Sequence, residues 1–154
     1  MKNLTATKNV IIYLWSDITL NTVIVVEDFQ KFEIKSSSVS KITCSNQGAG
    51  ICVKNSNNIV LSEIVLERCS MLQNSSTSKQ DNPEESEPIL CSLYVLNCTN
   101  LTLRGVTIRQ SQGTGMVMYN TKGKVTVSES NFEKNVVEPE KLKYAGGGGL
   151  VVEP

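Results

Sequence analysis

Gly50-Ile-Cys-Val-Lys-Asn-Ser-Asn-Asn-Ile-Val-Leu-Ser-Glu-Ile-Val-Leu-Glu-Arg-Cys69 aligns without a gap to Ser92-Leu-Tyr-Val-Leu-Asn-Cys-Thr-Asn-Leu-Thr-Leu-Arg-Gly-Val-Thr-Ile-Arg-Gln-Ser111. Their apolar positions coincide: Ile51 with Leu93, Val53 with Val95, Ile59 with Leu101, Leu61 with Leu103, Ile64 with Val106 and Leu66 with Ile108. Gly115-Met-Val-Met-Tyr-Asn120 repeats the opening, and after one extra residue around Gly123 the same slots take Val125, Val127 and Phe132, with Ser130 the one apolar slot lost. Upstream, Ile24, Val26, Phe32 and Ile34 fit the pattern, and Leu150-Val-Val152 begins a further copy.

Starts at Ile24, Ile51, Leu93, Met116 and Leu150 lie 27, 42, 23 and 34 positions apart. The smallest offset sets the length of the unit, and the surplus is loop insertion, as in a solenoid. Within each unit the apolar residues fall two apart in three short bursts, which is strand periodicity. A leucine-rich repeat of this length would carry a fixed leucine pattern and often an outer helix, whereas these units are β-branched throughout. The expected fold is all-β, a right-handed parallel β-helix with three short strands per coil. Residues 1–21 are expected to form a partial coil or N-terminal cap. Residues 22–154 supply the coils, with insertions at 70–90 and 136–149.

Asp28, Asn55, Asn97 and Asn120 close the first strand of every unit. Asn and Asp adopt left-handed backbone conformation more readily than other non-glycine residues, so they suit a sharp corner. Stacked side chains of this kind can also form a hydrogen-bonded ladder, although a good turn residue alone would explain the column.

The repeat resembles the right-handed parallel β-helix domains of the pectin-lyase-like superfamily. Leu-Tyr-Val-Leu-Asn-Cys-Thr-Asn-Leu-Thr-Leu, Gly-Thr-Gly-Met-Val-Met-Tyr-Asn and Gly-Gly-Gly-Gly-Leu-Val-Val-Glu look like phrases in large extracellular β-helix proteins of invertebrates. The resemblance runs from about Thr22 to the end. It implies a fold shared by lyases, hydrolases, adhesins and plain scaffolds, and does not choose among them.

Composition narrows the chemistry. The 154 residues carry 15 basic and 15 acidic side chains and no histidine. A nucleic-acid partner is therefore not expected, and the usual general base and commonest metal ligand are missing. The longest apolar run, Val10 to Trp15, is far short of the roughly 20 residues of a membrane span. No cofactor or metal is expected, because the five cysteines, Cys44, Cys52, Cys69, Cys91 and Cys98, lack zinc-site spacing. A disulfide between Cys69 and Cys91, closing the polar insertion between them, is the expected bridge, with buried thiols as the competing reading. Among the sequons at Asn3, Asn74, Asn97 and Asn100, Asn74 is the expected glycan site, since Asn97 should be half-buried at its corner. The Gly146 to Gly149 run reads as a flexible connection, because no helix N-terminus follows to make a phosphate cradle.

Carbohydrate-active β-helices work with paired carboxylates, or with acidic calcium ligands and a basic residue. The outward positions Cys52, Tyr94, Val117 and Val151, and Val60, Thr102 and Thr126, hold no acid. Glu63, Glu67 and Glu129 fall on the third face with Arg104, Arg109 and Glu133, a surface-like mixture. Tyr94 with Tyr119 would make a thin binding row. The expected function is a non-catalytic extracellular or cell-surface scaffold or adhesive module, its partner a carbohydrate or protein. The alternative is a piece of a polysaccharide-acting lyase or glycoside hydrolase with its catalytic coils elsewhere. The open apolar end at Leu150 suggests a longer solenoid.

Overall fold

Of the fourteen strands among the described residues all but β7 (Met71–Asn74) wind in one direction, because each burst of alternating residues has one apolar side to bury, and each burst ends at a residue able to turn the chain. The computed structural model describes residues 8–45, 48–74, 88–137 and 148–153. In chain order the strands are β1 (Asn9–Leu14), β2 (Ile18–Leu20), β3 (Val23–Glu27), β4 (Lys31–Cys44), β5 (Gly50–Lys54), β6 (Asn57–Glu67) and β7 (Met71–Asn74). The second half has β8 (Pro88–Leu96), β9 (Thr99–Arg104), β10 (Thr107–Arg109), β11 (Thr114–Tyr119), β12 (Lys122–Ser128), β13 (Asn131–Glu133) and β14 (Leu150–Glu153). No helix occurs among the described residues.

A sheet of β3, β5, β8, β11 and β14 forms one wall, and the remaining strands except β7 form the other two. The pairings between coils are parallel, and their register reproduces the repeat: Ile24 lies opposite Ile51, Ile51 opposite Leu93, Leu93 opposite Met116 and Met116 opposite Leu150. On the second wall Phe32, Ile59, Leu101 and Val125 stack in turn, followed two residues on by Ile34, Leu61, Leu103 and Val127. The third stacks Ile18, Ile42, Leu66, Ile108 and Phe132. Up to Leu103, Ile108 and Met116 these columns meet along the axis in one continuous core, with Phe132 packed against it, whereas Val125, Val127 and Leu150 are exposed. Residues 9–20 belong to the same stack, since β1 and β2 pair in parallel with the two legs of β4.

The expected Cys69–Cys91 bridge is replaced by a Cys44–Cys69 disulfide. Cys44 ends β4, Cys69 lies two residues past the end of β6 in the next coil, and the two share a small buried cluster with Ala49. Cys91 is a free buried thiol in a different cluster, with Cys52 and Tyr94. The coil path brings its own period together, whereas Cys91 lies in β8, two strands further on. The bridge closes a separation of 25 residues, for which loop entropy gives about 3 kcal/mol of stabilisation.

The insertion after Cys69 does not simply protrude. It opens as β7, which pairs antiparallel with the start of β8, Met71 opposite Cys91. Met71 is fully buried. The polar tip of this insertion, and most of the one beginning at Val136, lie outside the described residues.

Without reductant, three of the five cysteines should alkylate in denaturant and none in the native state, counted by mass spectrometry; reduction should release two more. Burial pushes the thiols of Cys52, Cys91 and Cys98 up, so little reactive thiolate is present at neutral pH.

Candidate functional site

Corners come first, because they decide where every outward side chain lands. Apart from Gly48, the residues with positive φ among the described ones fall into aligned columns: Asp28, Asn55, Asn97 and Asn120; then Asn58, Asn100 and Gly123; then Glu63, Gly105 and Glu129; then Arg68, Gln110 and Lys134. Each column marks the same corner in successive coils. In the first, Asn120 Nδ2 donates to Asn97 Oδ1 (2.7 Å), and Asn97 Nδ2 donates to Asn55 Oδ1 (3.3 Å). Asn55 Nδ2 then donates to Glu27 Oε1 (3.3 Å), so the carboxylate of Asp28 does not receive it. Asn97 is exposed, not half-buried, and both ends of its amide are engaged. A parallel ladder runs one corner along, where Asn100 Nδ2 donates to Asn58 Oδ1 (3.2 Å) and Asn100 Oδ1 accepts from Lys124 N (2.9 Å). The aligned Asn58 and Asn100 were its signal in the sequence. Asn74 ends β7; its side chain lies outside the described residues.

Three outward surfaces follow. On the first wall Cys52, Tyr94 and Val117 face away from the inner core, as expected, but each is covered and only 1% exposed. They form a second apolar layer with Met71, Cys91 and Tyr119. Tyr94 and Tyr119, 6.0 Å apart between ring centroids, are part of this layer and do not make an exposed binding row. The opening of the insertion as β7, which buries Met71 there, is what the alternation pattern alone could not convey.

On the third wall a row of charges crosses four coils. Glu67 Oε1 accepts from Arg109 Nε (3.0 Å) and Nη2 (2.8 Å), and Lys41 lies 3.5 Å from its other oxygen. Arg109 also reaches Glu133 at 4.0 Å. Burial acts to raise the Glu67 carboxyl, but Arg109 and Lys41 outweigh it and hold it below its ordinary value of 4.5. A general acid needs the opposite shift. Glu63 and Glu129, grouped with Glu67 by sequence, turn out to occupy a corner.

On the second wall β1 leaves its outer face bare. Val10, Ile12 and Leu14 turn inward, and Ile11, Tyr13 and Trp15 turn out. Tyr13 is 53% exposed and Trp15 82%. Their rings are nearly parallel, 20° apart, with centroids separated by 6.3 Å. Lys35, the lateral neighbour of Tyr13, places Nζ 4.7 Å from that ring's centroid and 3.3 Å from Glu33. Tyr13 first, then Glu33, push its ammonium pKa up. The run Val10 to Trp15 carried this signal as an alternation that its overall hydrophobicity concealed. Among the described residues no group of three or more His, Cys, Asp or Glu side chains is placed to hold a metal ion. No helix there is long and apolar enough to cross a membrane.

A family model described as right handed beta helix region matches residues 2–153. Neither the curated proteins nor the solved structures provide a match.

Two substitutions test the corners and one tests the charge row. Glu129→Gly should raise stability by up to about 1 kcal/mol by relieving a left-handed non-glycine backbone, and Asn97→Ala should lower it by about 1–2 kcal/mol through two lost side-chain bonds and a poorer corner residue. Urea midpoints at constant m-value read both. Because the folded pKa of Glu67 is depressed, its contribution is complete above its ordinary value and fades as pH falls through the folded one. Glu67→Gln should therefore destabilise at pH 7 and flatten the loss of stability on acidification below about pH 5, measured by urea denaturation across pH.

Proposed function

The chain belongs to the right-handed β-helix family, and we propose that within this fold it is a non-catalytic interaction scaffold working outside the cell. The observation that carries the reading is the state of Glu67, the one buried carboxylate among the described residues. Its oxygens are committed to Arg109 and Lys41, and its pKa is shifted away from what proton donation requires. A carboxylate so held is an ionised strut between coils. What remains is an array of side chains at fixed lateral spacing, about 4.8 Å from coil to coil, which suits recognition of an extended partner. A carbohydrate or protein at the cell surface fits that description. The disulfide between Cys44 and Cys69 supports an oxidising compartment.

Incubation of the purified chain with polygalacturonate, cellulose and chitin fragments, scored for new reducing or unsaturated ends, tests the reading. No turnover is expected. Cleavage that Glu67→Gln or Arg109→Ala abolishes would contradict it and return the chain to the polysaccharide-acting enzymes.

A further inference from the structure

We propose that Asn97 is an N-glycan acceptor and that the ladder at its corner survives the glycan; this rests on the reading of the chain as working outside the cell. Asn97-Cys98-Thr99 is a sequon. A half-buried corner would exclude a sugar, but Asn55, Asn97 and Asn120 are all exposed. The neighbours of Asn97 along the stack are thus two short side chains already laid into the ladder, and nothing bulky projects above them.

The polarity of the ladder decides which amide hydrogen it uses. Glu27 Oε1 closes the ladder, and a carboxylate oxygen only accepts, so Asn55 turns Nδ2 towards it and Oδ1 towards Asn97. That choice propagates. Asn97 donates to Asn55 on one side of its coil and accepts from Asn120 on the other. The N and O ends of each amide, which an isolated Asn leaves open, are therefore fixed from the Glu27 end. In a planar primary amide one N–H lies anti to the carbonyl oxygen and the other syn. The hydrogen that Asn97 donates points away from its accepting oxygen, so it is the anti one, and the syn hydrogen takes no part in the ladder. An N-linked sugar replaces the syn hydrogen and leaves the anti N–H in place for Asn55. The donor is a lipid diphosphate-linked oligosaccharide, with its transferase. The Nδ2 electron pair forms the bond to the anomeric carbon, the bond from that carbon to the diphosphate breaks with its pair, and the syn proton goes to a base of the transferase. Asn100-Leu101-Thr102 is also a sequon in a ladder, but there Oδ1 is drawn onto the backbone by Lys124 N (2.9 Å) and lies against Gly123. The syn position shares that side of the amide, so a sugar on Asn100 would meet the neighbouring coil.

The whole chain, led into the secretory pathway of a cell whose glycans stay mannose-rich, is recovered from medium and cells alike and trimmed with an endoglycosidase that leaves one N-acetylglucosamine. Mass spectrometry should place that sugar on Asn97, and Thr99→Ala, which keeps the Asn97 side chain, should remove it. Stability is then compared with the other three sequons closed by Thr5→Ala, Ser76→Ala and Thr102→Ala. The urea midpoint of the trimmed chain should match that of the same chain made bare in a bacterial periplasm. Release by a peptide amidase, which turns Asn97 into an aspartate without the N–H, should lower it. A bare Asn97 in a chain whose Cys44–Cys69 bridge has formed overturns the assignment, and a trimmed chain as unstable as the amidase product overturns the surviving ladder. The extracellular reading fails differently, by a chain held in the cell with Cys44 and Cys69 as free thiols, whatever Asn97 carries.

Discussion

Everything outward in this molecule depends on corners that turn left-handed at the same place in each coil. A residue with positive φ costs an L-amino acid about 1–2 kcal/mol unless it is Gly, Asn or Asp, yet the chain accepts Glu63, Arg68, Gln110, Glu129 and Lys134 there. The gain that offsets this is register. A corner displaced by one residue would send Leu101 and Leu103 outward and Thr102 inward, since strand side chains alternate. With the corners fixed, the apolar columns run the length of the stack, and the Asn ladders tie each corner to the next.

From that constraint the three walls acquire different characters. The first is covered outside as well as in, because Met71 and its strand fold back against the start of β8. The third is cross-braced by charges, because Glu67, Arg109 and Glu133 share one lateral row and Lys41 reaches Glu67 from the neighbouring coil. The second carries the features that look unsatisfied in water, two aromatic rings beside a local departure from the coil. Regularity supplies the frame, and a place where it is broken supplies a shaped surface.

The coils were legible in the sequence because period-two alternation and the offsets 27, 42, 23 and 34 are direct images of parallel register. The first corner column was legible for the same reason, through Asn55, Asn97 and Asn120. The corners occupied by Glu63 and Arg68 were not, since those residue types carry no turn preference. The disulfide was misjudged because Cys69 and Cys91 bracket an insertion, and proximity in sequence there competes with proximity around the coil. The burial of Tyr94 and Val117 could not be read from their own strands. It depends on a second layer that alternation along those strands does not encode.

Nuclear Overhauser contacts between methyl groups test the stacked-column account most directly. Leu93 is predicted to contact Ile51 on one side and Met116 on the other, and Leu101 to contact Ile59 and Val125. Contacts joining Leu93 to neither, or Leu101 to residues one position out of this register, would contradict it.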